Sequence, residues 1–168
     1  MGKHLCAWVL TILMLLTFNI VPVHASEGNM IQSVESLQKG KRVLEGVKIG
    51  QDMKDIIRKK GKGIHTSAAF GDEQYYEYHT EKGLLRITAN NDKATAKVIY
   101  VSMSYDELQG PSYEEVQKFT SDTAIKRAHY NKITGNTGYI SDGKNFYQFA
   151  TEHPNDKVLK LYRIDIKA

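Results

Sequence analysis

Cys6 is the only cysteine in the 168 residues, and it lies inside LCAWVLTILMLLTFNIV, an apolar run near the start of the chain. Lys3 and His4 precede the run, Pro22 interrupts it, and Val23-His24-Ala25 follows. A charged start, an apolar middle and small residues at −3 and −1 predict a secretory signal peptide over 1–25, cleaved after Ala25. The competing reading is an uncleaved anchor, because the run approaches the length that spans a bilayer. Cys6 stands near the beginning of the run, the wrong place for a lipid-modified cysteine. Cleavage would leave 143 residues, 168 less 25, with neither Cys nor Trp. Small secreted domains usually rely on disulfides, and this one must hold together by packing alone. A cysteine-free exported chain points to a Gram-positive source.

Charge narrows the partners. The formal net charge of +4 falls to +3 once Lys3 is removed. That is enough for a weak attraction to anionic wall polymers or lipid headgroups. It is far from the clustered basic face that nucleic acid requires.

After Ser26, NMIQSVESLQKG places Met30 or Ile31, Val34 and Leu37 at helical spacing, with Asn29 as cap and Gly40 as stop. RVLEGVKI follows as a short extended piece. In VKIGQDMKDIIRKKG, Asp52 and Asp55 suit a helix start, Met53, Ile56 and Ile57 form an apolar stripe, and Gly61 suits a left-handed stop. QYYEYHT, LLRITAN and KVIYVSMSY then read as three strands. Ile99, Val101 and Met103 are expected on one face of the last, with Tyr100 on the other.

The second half follows the same plan. Ser112 and Glu115 have capping-box spacing ahead of Val116 and Phe119. Asp142-Gly143 predicts a type I′ hairpin inside GYISDGKNFYQFA, and KVLKLYRIDI closes the chain. Asp52 to Ser112 is 60 residues, Tyr76 to Tyr139 is 63, and Lys97-Val98 to Lys157-Val158 is 60. These offsets predict an α+β fold of two tandem helix-plus-three-stranded antiparallel meander repeats, packed as a pseudo-dimer. The expected boundaries are a lead-in over 26–46, a first repeat over 47–106 and a second over 107–168.

Lys39-Gly40, Ile49-Gly50, Met53 to Ile57, Lys60-Gly61-Lys62, Tyr75 to Tyr78, Ser112 to Val116 and Val158 to Ile166 together carry a resemblance. Their spacing resembles a family of exported Gram-positive proteins typified by YjgB, over nearly the whole mature chain. The helix-plus-sheet module is also similar to that of secreted β-lactamase-inhibitor proteins and small outer-membrane assembly lipoproteins. The resemblance implies secretion and fold, and hints at binding.

No motif announces catalysis. His65, His79, His129 and His153 have no metal-ligand spacing, and neither an H-E-x-x-H nor a G-x-S-x-G motif occurs. The reading therefore assigns no catalytic residue, metal or cofactor. A small secreted hydrolase using a histidine and an acid is the alternative. Arg58, Lys59, Lys60 and Lys62 form the densest basic run, explained by the helix dipole or by contact with an anionic wall polymer. The ten tyrosines are the notable excess. Tyr75, Tyr78, Tyr139 and Tyr147 are the candidate binding residues, expected on one exposed sheet face, since tyrosine suits interfaces. The competing reading is that tyrosines cover half-buried strands. The expectation is a secreted, non-enzymatic binding module for an extracellular or cell-envelope protein, with wall association by charge as a further alternative.

Overall fold

The structure, a computed structural model, describes residues 25–168. The predicted signal peptide falls on residues outside that range but for Ala25. Helix α1 (Ala25–Gln38) buries Met30, Val34 and Leu37. It begins at Ala25, so Asn29 is internal to the helix rather than its cap. Gly40 follows with φ +86°. RVLEGVKI is a tiny hairpin rather than one extended piece: β1 (Val43–Leu44) pairs with β2 (Val47–Lys48) around Glu45 and Gly46. Both turn residues have positive φ, the signature of a type I′ turn.

Helix α2 (Met53–Lys60) has the expected stripe, with Met53 and Ile56 buried and Ile57 packed beside them. Its cap differs from expectation. The Asp52 side chain accepts no hydrogen bond from the helix start; it pairs with Lys97 Nζ at 2.8 Å instead. That hydrogen bond holds the Asp52 carboxyl below its ordinary value. Helix α3 (Tyr113–Gln117) carries the predicted capping box in full. The Glu115 backbone N–H donates to Ser112 Oγ at 3.2 Å, and the Ser112 N–H donates to Glu115 Oε2 at 2.7 Å. Val116 is buried, but Phe119 lies beyond the helix and is 39% exposed.

The strands correct the predicted fold. They are β3 (Ile64–Ser67), β4 (Gln74–Thr80), β5 (Gly83–Ala89), β6 (Val98–Tyr105), β7 (Ile125–His129), β8 (Thr137–Asp142), β9 (Asn145–Ala150) and β10 (Lys160–Lys167). All eight belong to one antiparallel sheet in the order β3-β4-β5-β6-β10-β9-β8-β7. The chain is therefore mostly β, not two tandem helix-plus-three-strand units packed as a pseudo-dimer. Two strands were illegible as such. Every residue of β3 is exposed, and β7 is exposed but for half-buried Lys126, so neither shows the alternation that marks a half-buried strand. They are the outer edges of the sheet, where burial is least.

The middle of the sheet is the β6–β10 pairing. Val101 faces Ile166 and Met103 faces Ile164, all four buried. Bulges precede the pairing on both sides. Val98 and Tyr100 pair with Ala89 and Thr88, leaving Ile99 unpaired. Leu161 and Arg163 pair with Phe149 and Gln148, leaving Tyr162 unpaired. The helices are tied to these strands alike. The Met53 N–H donates to Ala96 O and the Tyr113 N–H to Leu159 O, each at 2.9 Å. This places Lys160-Leu161, not Lys157-Val158, in the role of Lys97-Val98. The predicted hairpin also shifts by one residue: Asp142 pairs with Asn145, so Gly143 and Lys144 form the turn. Only Gly143 has positive φ, which fits type II′ rather than I′.

The three helices of the described residues lie on one face. Gln38 Nε2 donates to the Tyr147 hydroxyl at 2.8 Å, the Tyr78 hydroxyl donates to Gly61 O at 3.1 Å, and Tyr113 meets Phe149 edge-on at 5.1 Å. Tyr78, Tyr147 and Phe149 share that face with Ile87, Val101 and Ile164, and the core sits between.

Truncating the middle of the sheet should unfold everything together. Ile164→Ala is expected to cost about 3 kcal/mol, as for other buried isoleucines. Urea unfolding should remain one transition, because no half has a core of its own; two separated transitions would contradict the single-sheet reading. The α3 cap gives a pH signature. The Ser112 backbone and hydroxyl hold the Glu115 carboxyl below its ordinary 4.5, so the folded chain favours the ionised form. Ser112→Ala should cost about 1 kcal/mol at neutral pH. The carboxylate's share of that cost is present above pH 4.5 and fades as pH falls through the folded pKa, which urea midpoints from pH 7 to 3 would reveal.

Candidate functional site: the open face of the sheet

Register decides which side chains share the other face. Directly paired residues of antiparallel strands point the same way, so one row runs His79, Leu84, Ser104, Arg163, Gln148, Tyr139, Arg127 from β4 to β7. A second runs Glu77, Arg86, Ser102, Asp165, Phe146, Ser141, and a third Tyr75, Thr88, Tyr100, Lys167. No helix among the described residues covers them.

The centre of this face is a polar network built around a buried acid. Asp165 is 3% exposed. Its Oδ1 accepts from the Tyr100 hydroxyl at 2.6 Å and from Arg163 Nε at 2.8 Å, and its Oδ2 accepts from Gln148 Nε2 at 3.0 Å. The Tyr162 hydroxyl donates to Gln148 Oε1 at 3.1 Å, and Arg163 Nη2 donates to the Tyr100 hydroxyl at 3.2 Å. Burial, and then the hydrogen bond to Asp165, push the Tyr100 hydroxyl's pKa above its ordinary value. Arg163 supplies the countercharge that makes a buried carboxylate tolerable. Ser102, in register between Arg86 and Asp165, is fully buried, and its hydroxyl has no hydrogen-bond partner.

Two shallow depressions flank the network. One, of about 360 Å³, includes Tyr75, Glu77, Arg86 and Thr88. Its arginine is already committed, with Arg86 Nε donating to Glu77 Oε1 at 2.7 Å. The other, of about 480 Å³, includes Arg127, His129, Tyr139, Gln148 and Tyr162.

The four candidate tyrosines separate into two pairs. Tyr75 and Tyr139 are on the open face, 39% and 44% exposed. Tyr78 and Tyr147 are on the helix-covered face, 7% and 0% exposed, with their hydroxyls satisfied by Gly61 and Gln38. Burial pushes the Tyr147 hydroxyl's pKa far up. The expectation that all four line one exposed face is therefore corrected, since adjacent residues of a strand alternate sides. The sequence reading missed Tyr100, Gln148, Tyr162, Arg163 and Asp165. The signal was present in KLYRIDIK, where Ile164 and Ile166 alternate with Arg163 and Asp165.

Arg58, Lys59, Lys60 and Lys62 are all exposed at and beyond the end of α2. Arg58 makes a 3.1 Å ion pair with Asp55. This patch belongs to the helix layer, away from the open face. Of the four histidines among the described residues, only His65 has a ring hydrogen bond, to Gln74 Oε1 at 2.8 Å. His79 on β4 and His129 on β7 are six strand spacings apart, about 29 Å at the usual interstrand distance. Among the described residues no three His, Cys, Asp or Glu side chains are grouped so as to hold a metal ion. No helix among them is long and apolar enough to cross a membrane.

Residues 1–167 match the SA0570-like family, an uncharacterised family, and the chain belongs to it. No curated protein and no solved structure matches the chain.

Substitutions within the network should separate a framework role from a contact role. Asp165→Asn leaves Arg163 without its countercharge and should cost about 3 kcal/mol. Ser102→Ala removes a buried hydroxyl that has no partner and should stabilise by up to about 1 kcal/mol. Tyr75→Ala, on the exposed surface, should change stability by less than about 0.5 kcal/mol. Thermal unfolding of the three variants checks the ranking.

Proposed function

We propose that this chain is an exported, non-enzymatic binding module that engages an extracellular or cell-envelope protein through the open face of its sheet. One observation carries the reading: a broad face that no helix of the described residues covers presents Tyr75 and Tyr139 over a hydrogen-bonded polar framework. The two tyrosines are five strand spacings apart across the sheet, about 24 Å, and about 13 Å apart along the strands. A standard interface buries about 800 Å² per partner, roughly a disc 32 Å across, so one partner could cover both. Tyrosine contributes contact area and a hydroxyl while losing little rotamer freedom. The network beneath restrains Tyr100, Gln148 and Tyr162 before any partner arrives, which lowers the ordering cost of association.

Export rests on the leader-like sequence over 1–25. The closer likeness to exported proteins typified by YjgB, and to the β-lactamase-inhibitor module, belongs to this proposal and rests on residue spacing. The basic run from Arg58 to Lys62 is assigned a secondary part, a weak and salt-sensitive hold on anionic wall polymer.

The test is capture from the culture supernatant and from a cell-envelope extract on immobilised protein, with hydrogen exchange mapping the contact. Tyr75→Ser with Tyr139→Ser should reduce capture at least about tenfold while the thermal transition stays in place. Protection confined to the helix layer, or undiminished capture by the double variant, would overturn the reading.

A further inference from the structure

The two depressions on the open face differ in one respect that identifies a ligand chemistry. The described residues contain five arginines, and four are engaged. Arg58 pairs with Asp55, Arg86 with Glu77 and Arg163 with Asp165, while Arg42 donates to Asn145 Oδ1 and to the Lys167 carbonyl. Arg127 alone has no partner, and it lines the larger depression. No acid shares that lining. The smaller depression, by contrast, has its arginine neutralised by Glu77 within its own wall.

The walls suit a planar or extended group. Arg127, Tyr139 and Gln148 lie in one cross-strand row, so their side chains stand side by side on the same face. Gln148 is held at both ends, its oxygen by the Tyr162 hydroxyl and its nitrogen by Asp165. An amide nitrogen has two hydrogens, so one Gln148 donor is left for a ligand. The depression also reaches β7, the outer strand, whose far edge has no strand partner among the described residues.

We propose that this depression is where the partner protein is gripped, and that it takes an acidic, extended segment whose carboxylate sits on Arg127 beside Tyr139. The proposal rests on the binding-module reading and specifies its contact. A guanidinium matches a carboxylate through two parallel hydrogen bonds, and aromatic walls exclude water around them. An added strand would satisfy the free edge of β7 and set alternate side chains beside Ile125, Arg127 and His129. A second copy of this chain is a poor occupant, because antiparallel β7 against β7 centred on Arg127 would set that arginine against its own copy and bring no acid.

The experiment uses fluorescent short peptides that alternate threonine with glutamate, their threonine–glutamine counterparts, and inorganic polyphosphate, each titrated against the full chain. The glutamate peptide should bind and the glutamine peptide should bind at least about tenfold more weakly. Arg127→Gln should erase that preference, whereas Arg86→Gln should preserve it; both positions are exposed, and thermal unfolding verifies folding. Equal binding of the two peptides overturns the proposal. So does tighter binding of polyphosphate that falls with substitution of Arg58, Lys59 and Lys60 rather than Arg127, which would assign the attraction to the α2 patch. Failure of the peptides with intact, tyrosine-dependent capture of a partner would overturn only this assignment, while loss of both would overturn the binding-module reading too.

Discussion

The pairing of β6 with β10 is the interaction on which the rest of the molecule depends. Each strand ends one half of the chain, and together they turn two narrow sheets into one of eight strands. On one side of the pairing, Val101, Met103, Ile164 and Ile166 form the middle of the core. On the other, Tyr100, Arg163 and Asp165 form the middle of the polar network. Without this pairing, β6 and β10 would be long edges with unpaired backbone groups and apolar side chains, which invites aggregation. With it, the edges are β3 and β7, which are short and polar or charged apart from Ile64, Ile125 and Ala128.

The two faces then follow different physics. The helix side is dry and is held by apolar burial, with tyrosines reaching single partners such as Gly61 O and Gln38 at its margins. The open side has to keep its strand residues in order without a covering layer among the described residues. It does so by joining long polar side chains across strands, anchored on a carboxylate that Arg163 neutralises. Such a network adds rigidity more reliably than stability, since removing water from the two charges offsets much of their attraction. Rigidity suits the binding role proposed for this face, because side chains already restrained lose less freedom when a partner arrives.

Much of the local structure was legible before any tertiary structure was known. The stripe of Met53 and Ile56, the capping box at Ser112 and Glu115, the stop at Gly61 and the cores of β4, β5, β6, β9 and β10 all follow from nearest-neighbour chemistry. Departures came where a distant residue competed for a local group. Asp52 was free to cap α2, but Lys97 lies next to it in the folded chain and takes the carboxylate. Glu45 accepts a positive φ to close the β1–β2 hairpin, which places its carboxylate on Lys82 and the Tyr105 hydroxyl. The tyrosines divided for a simpler reason: strand alternation sends Tyr75 outward and Tyr78 inward, and composition carries no record of which face the helices cover.

The amino-acid order by itself determined the alternation of the inner strands, the capping box at Ser112 and Glu115 and the stops at Gly40 and Gly61, because these depend on residues close together in the chain; residues 25–168 contain no cysteine, so no disulfide could form among them. Which strands became edges, how the two halves joined, and which polar side chains met around Asp165 depended on the tertiary structure. Those outcomes are pairings between residues as far apart as Tyr100 and Asp165, whose energies exist only once a shared sheet has brought them within hydrogen-bonding distance.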